Sequence, residues 1–165
     1  MGTAKALLDA GSESFLSRIL GSLREGGASP LLVVVRSAEG PVAQEARRLG
    51  ANVILNPDPS RGPVSSLQAG IRALPEESKA VLFAPVDHPL FSPSTVAAFI
   101  GAFEEDKPPL VVPAFEGWRG HPVLFGRDLF PELLEPDLPE GARTVVRRYL
   151  ADRLQIPVND PGILA

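Results

Sequence analysis

The residue best placed for chemistry is Asp87, which follows an apolar segment and stands between Pro85 and Pro89. A carboxylate at the carboxyl end of a central strand points into the crevice above a sheet, where it can hold Mg²⁺ together with phosphate oxygens and water. An Asp in this place can equally cap a turn, or the helix predicted to begin after Ser92. Position alone leaves both interpretations open.

A second candidate is the proline-rich loop Asn56–Pro63 and the helix that begins after it. The first turn of a helix has N–H groups without partners, and here Ser65 and Ser66 add two hydroxyls. Such a turn can bind a phosphate or the edge of a base. On residue types alone, ordinary N-capping by Ser65 is the favoured interpretation.

Two further candidates lie elsewhere in the chain. In the segment Gly117–Pro122, two glycines flank Trp118 and an arginine, which is typical of a loop that closes over a ligand. An exposed hairpin with Trp118 packed on the core is equally consistent, and His121 could bind substrate or play a local structural role. Lys5 could neutralise a triphosphate, although a solvated terminal lysine is the simpler interpretation.

These candidates stand between segments that alternate between apolar strands and amphipathic helices. The patterns predict a first helix capped by Ser12 and ended by Gly26, and further helices at 41–50, 64–74, from 93 onwards, 128–134 and 142–150. They predict strands at 31–35, 52–55, 80–84, 110–113, 121–125 and 154–158. The first and third of these strands are continuous apolar runs, which indicates burial on both faces. The alternation predicts the α/β class, with a Rossmann-like, open, mostly parallel sheet and ligands beyond the carboxyl ends of its strands.

Composition narrows the class of protein. The chain has 165 residues, enough for one domain over 1–165. The net charge of −4, without a lysine or arginine cluster beyond a pair, argues against a nucleic-acid or membrane partner. The absence of cysteine excludes disulfides and thiolate sites, and two histidines argue against a polyhistidine zinc site. No apolar run approaches the roughly 20 residues of a membrane span, and the N-terminus lacks a signal-peptide core, so we expect a cytoplasmic location.

Four segments, taken together, resemble the MobA-like nucleotidyltransferase family, and most closely its molybdenum-cofactor cytidylyltransferase branch. Met1–Leu8 is similar to the second half of the family pattern LAAGxSxRMGxxKxLL, and Gly62–Gly70 to its GxxSSLxAG segment. Pro85–Pro89 looks like the PVDQP turn, and Gly120–Phe125 like GHPVLF. The resemblance runs over essentially the whole chain, and the four segments occur in the family's order.

The resemblance implies a nucleotide-diphospho-sugar-transferase-like three-layer sandwich. It implies a Mg²⁺-dependent enzyme that moves NMP from an NTP, CTP rather than GTP, to a phosphorylated acceptor such as molybdopterin, with release of pyrophosphate. Asp87 would be the metal ligand and, with Lys5, the catalytic pair. The implied nucleotide-binding residues are Lys5, Pro57, Gly62, Ser65 and Ser66, and the implied acceptor-binding residues are Gly120, His121 and Pro122.

The chain also departs from the family pattern. It has no counterpart of the glycine-rich LAAGxSxR half or of a DIDTPED-like acidic segment. We expect the family's first strand and C-terminal segment to be missing, and because that strand would lie mid-sheet, two strand edges should be exposed. Either the protein begins upstream of Met1 or it is a degenerate member. The alternatives for function are therefore a catalytically weakened or inactive module that binds a nucleotide or a partner, and a nucleotidyltransferase acting on a sugar phosphate.

Overall fold

The structure is a computed structural model and describes residues 4–9 and 11–165. Its helices are α1 (Phe15–Glu25), α2 (Pro41–Arg48), α3 (Pro63–Arg72), α4 (Pro93–Asp106), α5 (Phe130–Leu133) and α6 (Ala142–Arg148). Its strands are β1 (Leu32–Val35), β2 (Asn52–Leu55), β3 (Ala80–Phe83), β4 (Leu110–Phe115), β5 (Trp118–Arg119), β6 (Val123–Gly126) and β7 (Leu154–Pro157). Short 3-10 turns occur at Lys5–Leu7, Pro59–Arg61, Arg127–Leu129 and Pro161–Leu164.

Element types follow the sequence prediction, while several boundaries differ. The first helix begins after Ser14, whose hydroxyl accepts a hydrogen bond from the Ser17 amide at 3.1 Å. The prediction of Ser12 as its N-cap is therefore wrong, because Ser14 is the residue next to the first helical turn. The fourth strand extends to Phe115 and turns into the short hairpin strand β5.

The strands form two sheets. One contains β1 and β2 in parallel register. In the other, β6 runs antiparallel to both β3 and β4, while β7 pairs in parallel with β4 and β5 completes the hairpin. Since β3 and β4 are each antiparallel to β6, they share one direction with β7. The predicted α/β class with a mostly parallel strand direction is confirmed.

The strand β1 has a partner on one edge only within the described residues. The carbonyl of Val35 accepts a hydrogen bond from the Asn56 amide at 2.8 Å, on the side of β2. In a parallel ladder, alternate residues direct their backbone groups to opposite edges. The N–H and C=O groups of Leu32 and Val34 therefore face away from β2, where none of the described strands pairs with them.

The strand β3 also has a partner on one edge only among the described strands. The Lys79 carbonyl accepts from the Arg127 amide at 2.8 Å, on the side of β6. The antiparallel alternation then directs the backbone groups of Ala80 and Leu82 to the other edge, which also lacks a partner among the described strands.

Helices cover both sheets and join them. On one face, α3 packs its Leu67 and Ile71 against β3, and it approaches β1 at Val34. On the opposite face, α1 and α4 contact each other and bury a cluster that includes Leu82. The residues of β3 are nevertheless only half-buried, as are the first three of β1. The prediction of full burial was wrong because, among the described strands, β1 and β3 each have a neighbour on one side only.

None of the described helices is long and apolar enough to cross a bilayer.

Candidate functional site

The turn after β3 brings two of the predicted residues together. Its backbone is closed by the His88 amide, which donates to the Pro85 carbonyl at 3.1 Å. The Asp87 carboxylate lies outside the strand end with 55% of its side chain exposed, and the Lys5 Nζ lies 3.8 Å from Asp87 Oδ2. An exposed carboxylate beside a lysine at a strand end suits a ligand that carries both phosphate and a cation.

The chemistry of Asp87 fits a divalent cation that arrives with its own ligands. Within residues 4–9 and 11–165, no group of three or more His, Asp or Glu side chains is arranged to hold a metal ion alone. Magnesium is usually bound by one or two carboxylates together with waters and substrate phosphates. Asp87 therefore suits a metal–nucleotide complex better than a permanently bound ion.

Beside Asp87, the rings of His88 and His121 pack together with centroids 4.5 Å apart and an angle of 49° between their planes. The Nδ1 atoms of both rings are buried and have no hydrogen-bond partner. Burial, and next the charge of His88, lower the pKa of His121 to about 4, while Asp87 acts in the opposite direction. His121 is therefore neutral at neutral pH and can donate a hydrogen bond without adding charge.

The C-terminal turn holds the backbone of His121. The His121 amide donates to the Ile163 carbonyl at 2.9 Å, and Gly120 approaches the same carbonyl so closely that a Cβ atom at residue 120 would collide with it. Glycine is therefore required at 120 for packing. The peptide bond between His121 and Pro122 is cis.

Asp160 fastens this C-terminal turn to the start of α4. Its carboxylate accepts from the Ser92 amide at 2.7 Å, from the Thr95 hydroxyl at 2.6 Å and from the Gly162 amide at 3.0 Å. Burial favours the neutral acid, but these hydrogen bonds outweigh it and hold the pKa of Asp160 below its usual value. The first two bonds tie the start of α4 to the turn that carries Ile163, and the third closes that turn.

The predicted nucleotide loop is organised by Asn56, which is 4% exposed and follows β2 directly. Its amide nitrogen donates to the hydroxyls of Ser65 at 2.8 Å and Ser66 at 3.1 Å, and its oxygen accepts from the Asp58 amide at 2.9 Å. The Ser65 hydroxyl in turn donates to the Gly62 carbonyl at 2.7 Å. The side chain of Ser65 is thus engaged within the protein, while Ser66 is half-buried.

The cap of α3 differs from the sequence interpretation. The N-cap residue is Gly62, and no side chain caps the helix. Its φ of 80° lies in the left-handed region that favours glycine. N-capping by Ser65 was wrong because Ser65 lies one turn further on. Pro57 lies in the same loop, next to Asn56.

An open cavity of about 380 Å³ lies beside this loop. Arg61 spans one side of it and donates from Nη2 to the Pro136 carbonyl at 2.6 Å. The other lining residues are Val64, Asp137, Leu138 and Pro139. The loop therefore borders a space that is open to solvent.

The sequence did not predict the exposure or the role of several residues near the site. Trp118 is 72% exposed on the hairpin, so the alternative with Trp118 packed on the core was wrong. His88 and Asn56 were not singled out as candidates. The strand-end rule that identified Asp87 applies equally to Asn56, since both lie beyond the carboxyl end of a strand. Of the segment Met1–Leu8, residues 1–3 lie outside the described residues.

Comparison with known proteins gives a family and a fold. The family described as MobA-like NTP transferase domain matches residues 1–154, and no curated protein matches the chain. Rv0371C from Mycobacterium tuberculosis H37Rv, solved as a manganese complex, has a TM-score of 0.76 at 21% identity, with 95% of this chain and 83% of that chain covered. Mth528, a nucleotidyl transferase from Methanothermobacter thermautotroptrophicus, has a TM-score of 0.76 at 22% identity, with 96% and 76% covered.

A third similar structure is CMP:2-keto-3-deoxy-manno-octonic acid synthetase complexed with CTP. Its TM-score is 0.70 at 14% identity, with 93% of this chain and 83% of that chain covered. Identities this low establish the likeness of the fold, whereas the family match spans nearly the whole sequence. The chain therefore belongs to the MobA-like NTP transferase family and is a nucleotidyltransferase.

Proposed function

We propose that this protein transfers CMP from CTP to a phosphorylated small-molecule acceptor, such as molybdopterin, in the cytoplasm and with Mg²⁺. The observation that carries the proposal is the approach of Lys5 Nζ to within 3.8 Å of Asp87 Oδ2 at the end of β3. Two of the similar structures add support, one solved with CTP and the other with manganese.

The reaction forms one bond and breaks another at the same phosphorus. An oxygen of the acceptor phosphate bonds to the α-phosphorus of CTP, and the bond from that phosphorus to the bridging oxygen breaks, so that pyrophosphate leaves. A phosphate is already ionised at neutral pH, so the nucleophile needs no general base. His121, whose pKa is about 4, is not required to move a proton and serves as a neutral hydrogen-bond donor to the acceptor.

The charged residues offset the negative charge on the reacting phosphates. The Lys5 ammonium is exposed and free to move from Asp87 to a phosphate. Asp87 would hold the divalent cation together with phosphate oxygens. When bound, that cation supplies further neutralisation of the triphosphate.

The remaining predicted residues bind the two substrates. Pro57, Gly62 and the α3 turn that carries Ser66 would contact the nucleotide, while the buried Ser65 keeps that turn in shape through Asn56. The segment of Gly120, His121 and Pro122 would contact the acceptor.

The proposal is tested by pyrophosphate release from CTP, with Mg²⁺ and molybdopterin, by wild-type protein and the Asp87→Asn variant. We expect release by the wild type and a loss of at least 100-fold in the variant, since one carboxylate ligand is removed. Asp106→Asn, which removes an exposed carboxylate at the end of α4, is the matched control and should leave the rate unchanged.

Equal rates for the two variants would remove Asp87 from the reaction. Tight CTP binding that needs no metal, measured by calorimetry and without turnover, would favour a nucleotide-binding module instead. Turnover with a sugar phosphate but not with molybdopterin would keep the chemistry and change the acceptor.

A further inference from the structure

The helix α6 carries three arginines, and two of them have carboxylate partners. Arg147 pairs with Glu140 at 2.5 Å, and Arg148 pairs with Glu132 at 2.9 Å, as well as with Glu135. Arg143, in the first turn, is exposed and has neither a hydrogen bond nor an ion pair with any described residue. A guanidinium without a partner retains its full capacity for an anion.

The packing of α6 places this arginine at the site. A Cβ atom built on Gly141, just before the helix, would lie 3.4 Å from the Val64 Cβ in the first turn of α3. One turn further on, Val145 is completely buried in a cluster that includes Val123, the second residue after His121. The start of α6 therefore lies beside the first turn of α3, and its buried face shares a core cluster with the strand that His121 precedes.

The electrostatics agree with that placement. The charge of Arg143 contributes to lowering the pKa of His121, and the charge of Asp87 acts on the same ring in the opposite direction. The charges of Asp87 and Arg143 thus both act on the His121 ring. The reaction brings together a triphosphate and an acceptor phosphate, whose combined negative charge exceeds what Lys5 alone can offset.

We propose that Arg143 binds the phosphate of the acceptor, beside His121, and holds it for attack on the nucleotide. The inference rests on the proposed function and assigns the acceptor phosphate a cation of its own. A guanidinium suits this role because it can donate two parallel hydrogen bonds to one phosphate. Lys5 then remains available for the triphosphate.

The test is calorimetric titration of inorganic phosphate into protein saturated with Mg²⁺ and the α,β-methylene analogue of CTP. We expect Arg143→Gln to raise the Kd for phosphate at least tenfold, because a charge-assisted hydrogen bond is lost. The Kd for the analogue should change less than twofold. Arg143→Lys should raise the Kd for phosphate by an intermediate amount, since lysine keeps the charge but cannot donate two parallel hydrogen bonds to one phosphate.

The matched control is Arg147→Gln on the same helix, which should bind phosphate like the wild type. An unchanged phosphate Kd in Arg143→Gln would overturn the inference, and so would equal weakening of phosphate and of the CTP analogue. Wild-type protein that binds the analogue but not phosphate would overturn it while leaving the proposed function intact. Failure to bind the analogue would count against the proposed function itself.

Discussion

The ring of His121 lies against the ring of His88, 4.5 Å between centroids, and both rings bury an Nδ1 atom without a hydrogen-bond partner. His121 tolerates a positive charge poorly, since its protonation would place a cation in a partly buried position beside a second imidazole. The turn that carries Asp87 is thereby coupled to the segment that carries His121.

The first prediction concerns the pH dependence of folding. His121 has its usual pKa of 6.5 when unfolded and a pKa of about 4 when folded. Between these values the unfolded chain binds more protons, so stability falls as the pH falls from 6.5 towards 4. Because His121 keeps some contact with solvent, we expect the free energy of unfolding to fall by about 1–2 kcal/mol, which is less than the full free-energy equivalent of the pKa difference.

The measurement is urea unfolding of metal-free protein at pH 7.5 and at pH 4.5. The control is His121→Gln, which has no group to titrate at this position and should lose less stability over the same range. If the wild type and His121→Gln lose equal stability, His121 is not the titrating group.

The second prediction concerns Asn56. Asn56→Asp keeps an acceptor for the Asp58 amide but loses the donor that serves Ser65 and Ser66. A buried carboxylate would face two hydroxyls, and we expect a destabilisation of about 1–3 kcal/mol and weaker CTP binding. Asn52→Asp, at the exposed start of β2, is the control and should have little effect on either quantity. The measurements are the free energy of unfolding and the Kd for CTP of both variants. Similar values for Asn56→Asp and Asn52→Asp would contradict this role of Asn56.

The third prediction concerns Asp160. Asp160→Asn preserves the shape of the side chain but weakens the hydrogen bonds to Ser92, Thr95 and Gly162, so stability at pH 7 should fall by about 1–3 kcal/mol. Because the pKa of Asp160 is lowered by folding, its contribution is present above pH 3.8 and is lost as the pH falls through the folded pKa. The difference between the two proteins should therefore shrink in acid. A difference that stays constant from pH 7 to pH 2.5 would show that the charge of Asp160 is irrelevant.

The fourth prediction concerns Gly120. Gly120→Ala forces a Cβ atom against the Ile163 carbonyl, and we expect a loss of about 1–3 kcal/mol because backbone must move. Gly101→Ala in α4 meets no atom within 4 Å and should stabilise by about 0.5–1 kcal/mol because alanine favours helix. Thermal unfolding of both variants is the measurement. The same change from glycine to alanine should lower the melting temperature at residue 120 and raise it at residue 101. Equal shifts would mean that the C-terminal turn does not pack as described.

The sequence predicted those features that depend on the local order of residues. Apolar runs and glycine or proline breaks predicted the elements, and the rule for parallel strand ends directed attention to Asp87. The side-chain network of Asn56 with Ser65 and Ser66 could not be predicted, because it depends on the φ of 80° at Gly62. Residue types alone suggested an N-cap instead.

Contacts between segments that are distant in the chain also could not be predicted from the sequence. The contact between the His88 and His121 rings requires the C-terminal turn at Ile163 to fix the backbone of His121. The unpaired state of Arg143 becomes visible only when its neighbours Arg147 and Arg148 are seen with their carboxylates. The partial burial of β3 likewise depends on which strands pair with it, and an apolar run in the sequence does not predict the strand pairing.

The open edges of β1 and β3 have a consequence for the time course of deuterium uptake. An amide in a ladder exchanges only when the ladder opens, whereas an amide that faces an open edge is protected by burial alone. In β1 the amides of Leu32 and Val34 should therefore take up deuterium before those of Val33 and Val35. In β3 the amide of Leu82 should exchange before its neighbours. Each strand would then show an alternating pattern of fast and slow sites, and the two sheets would open as separate units held together by helices.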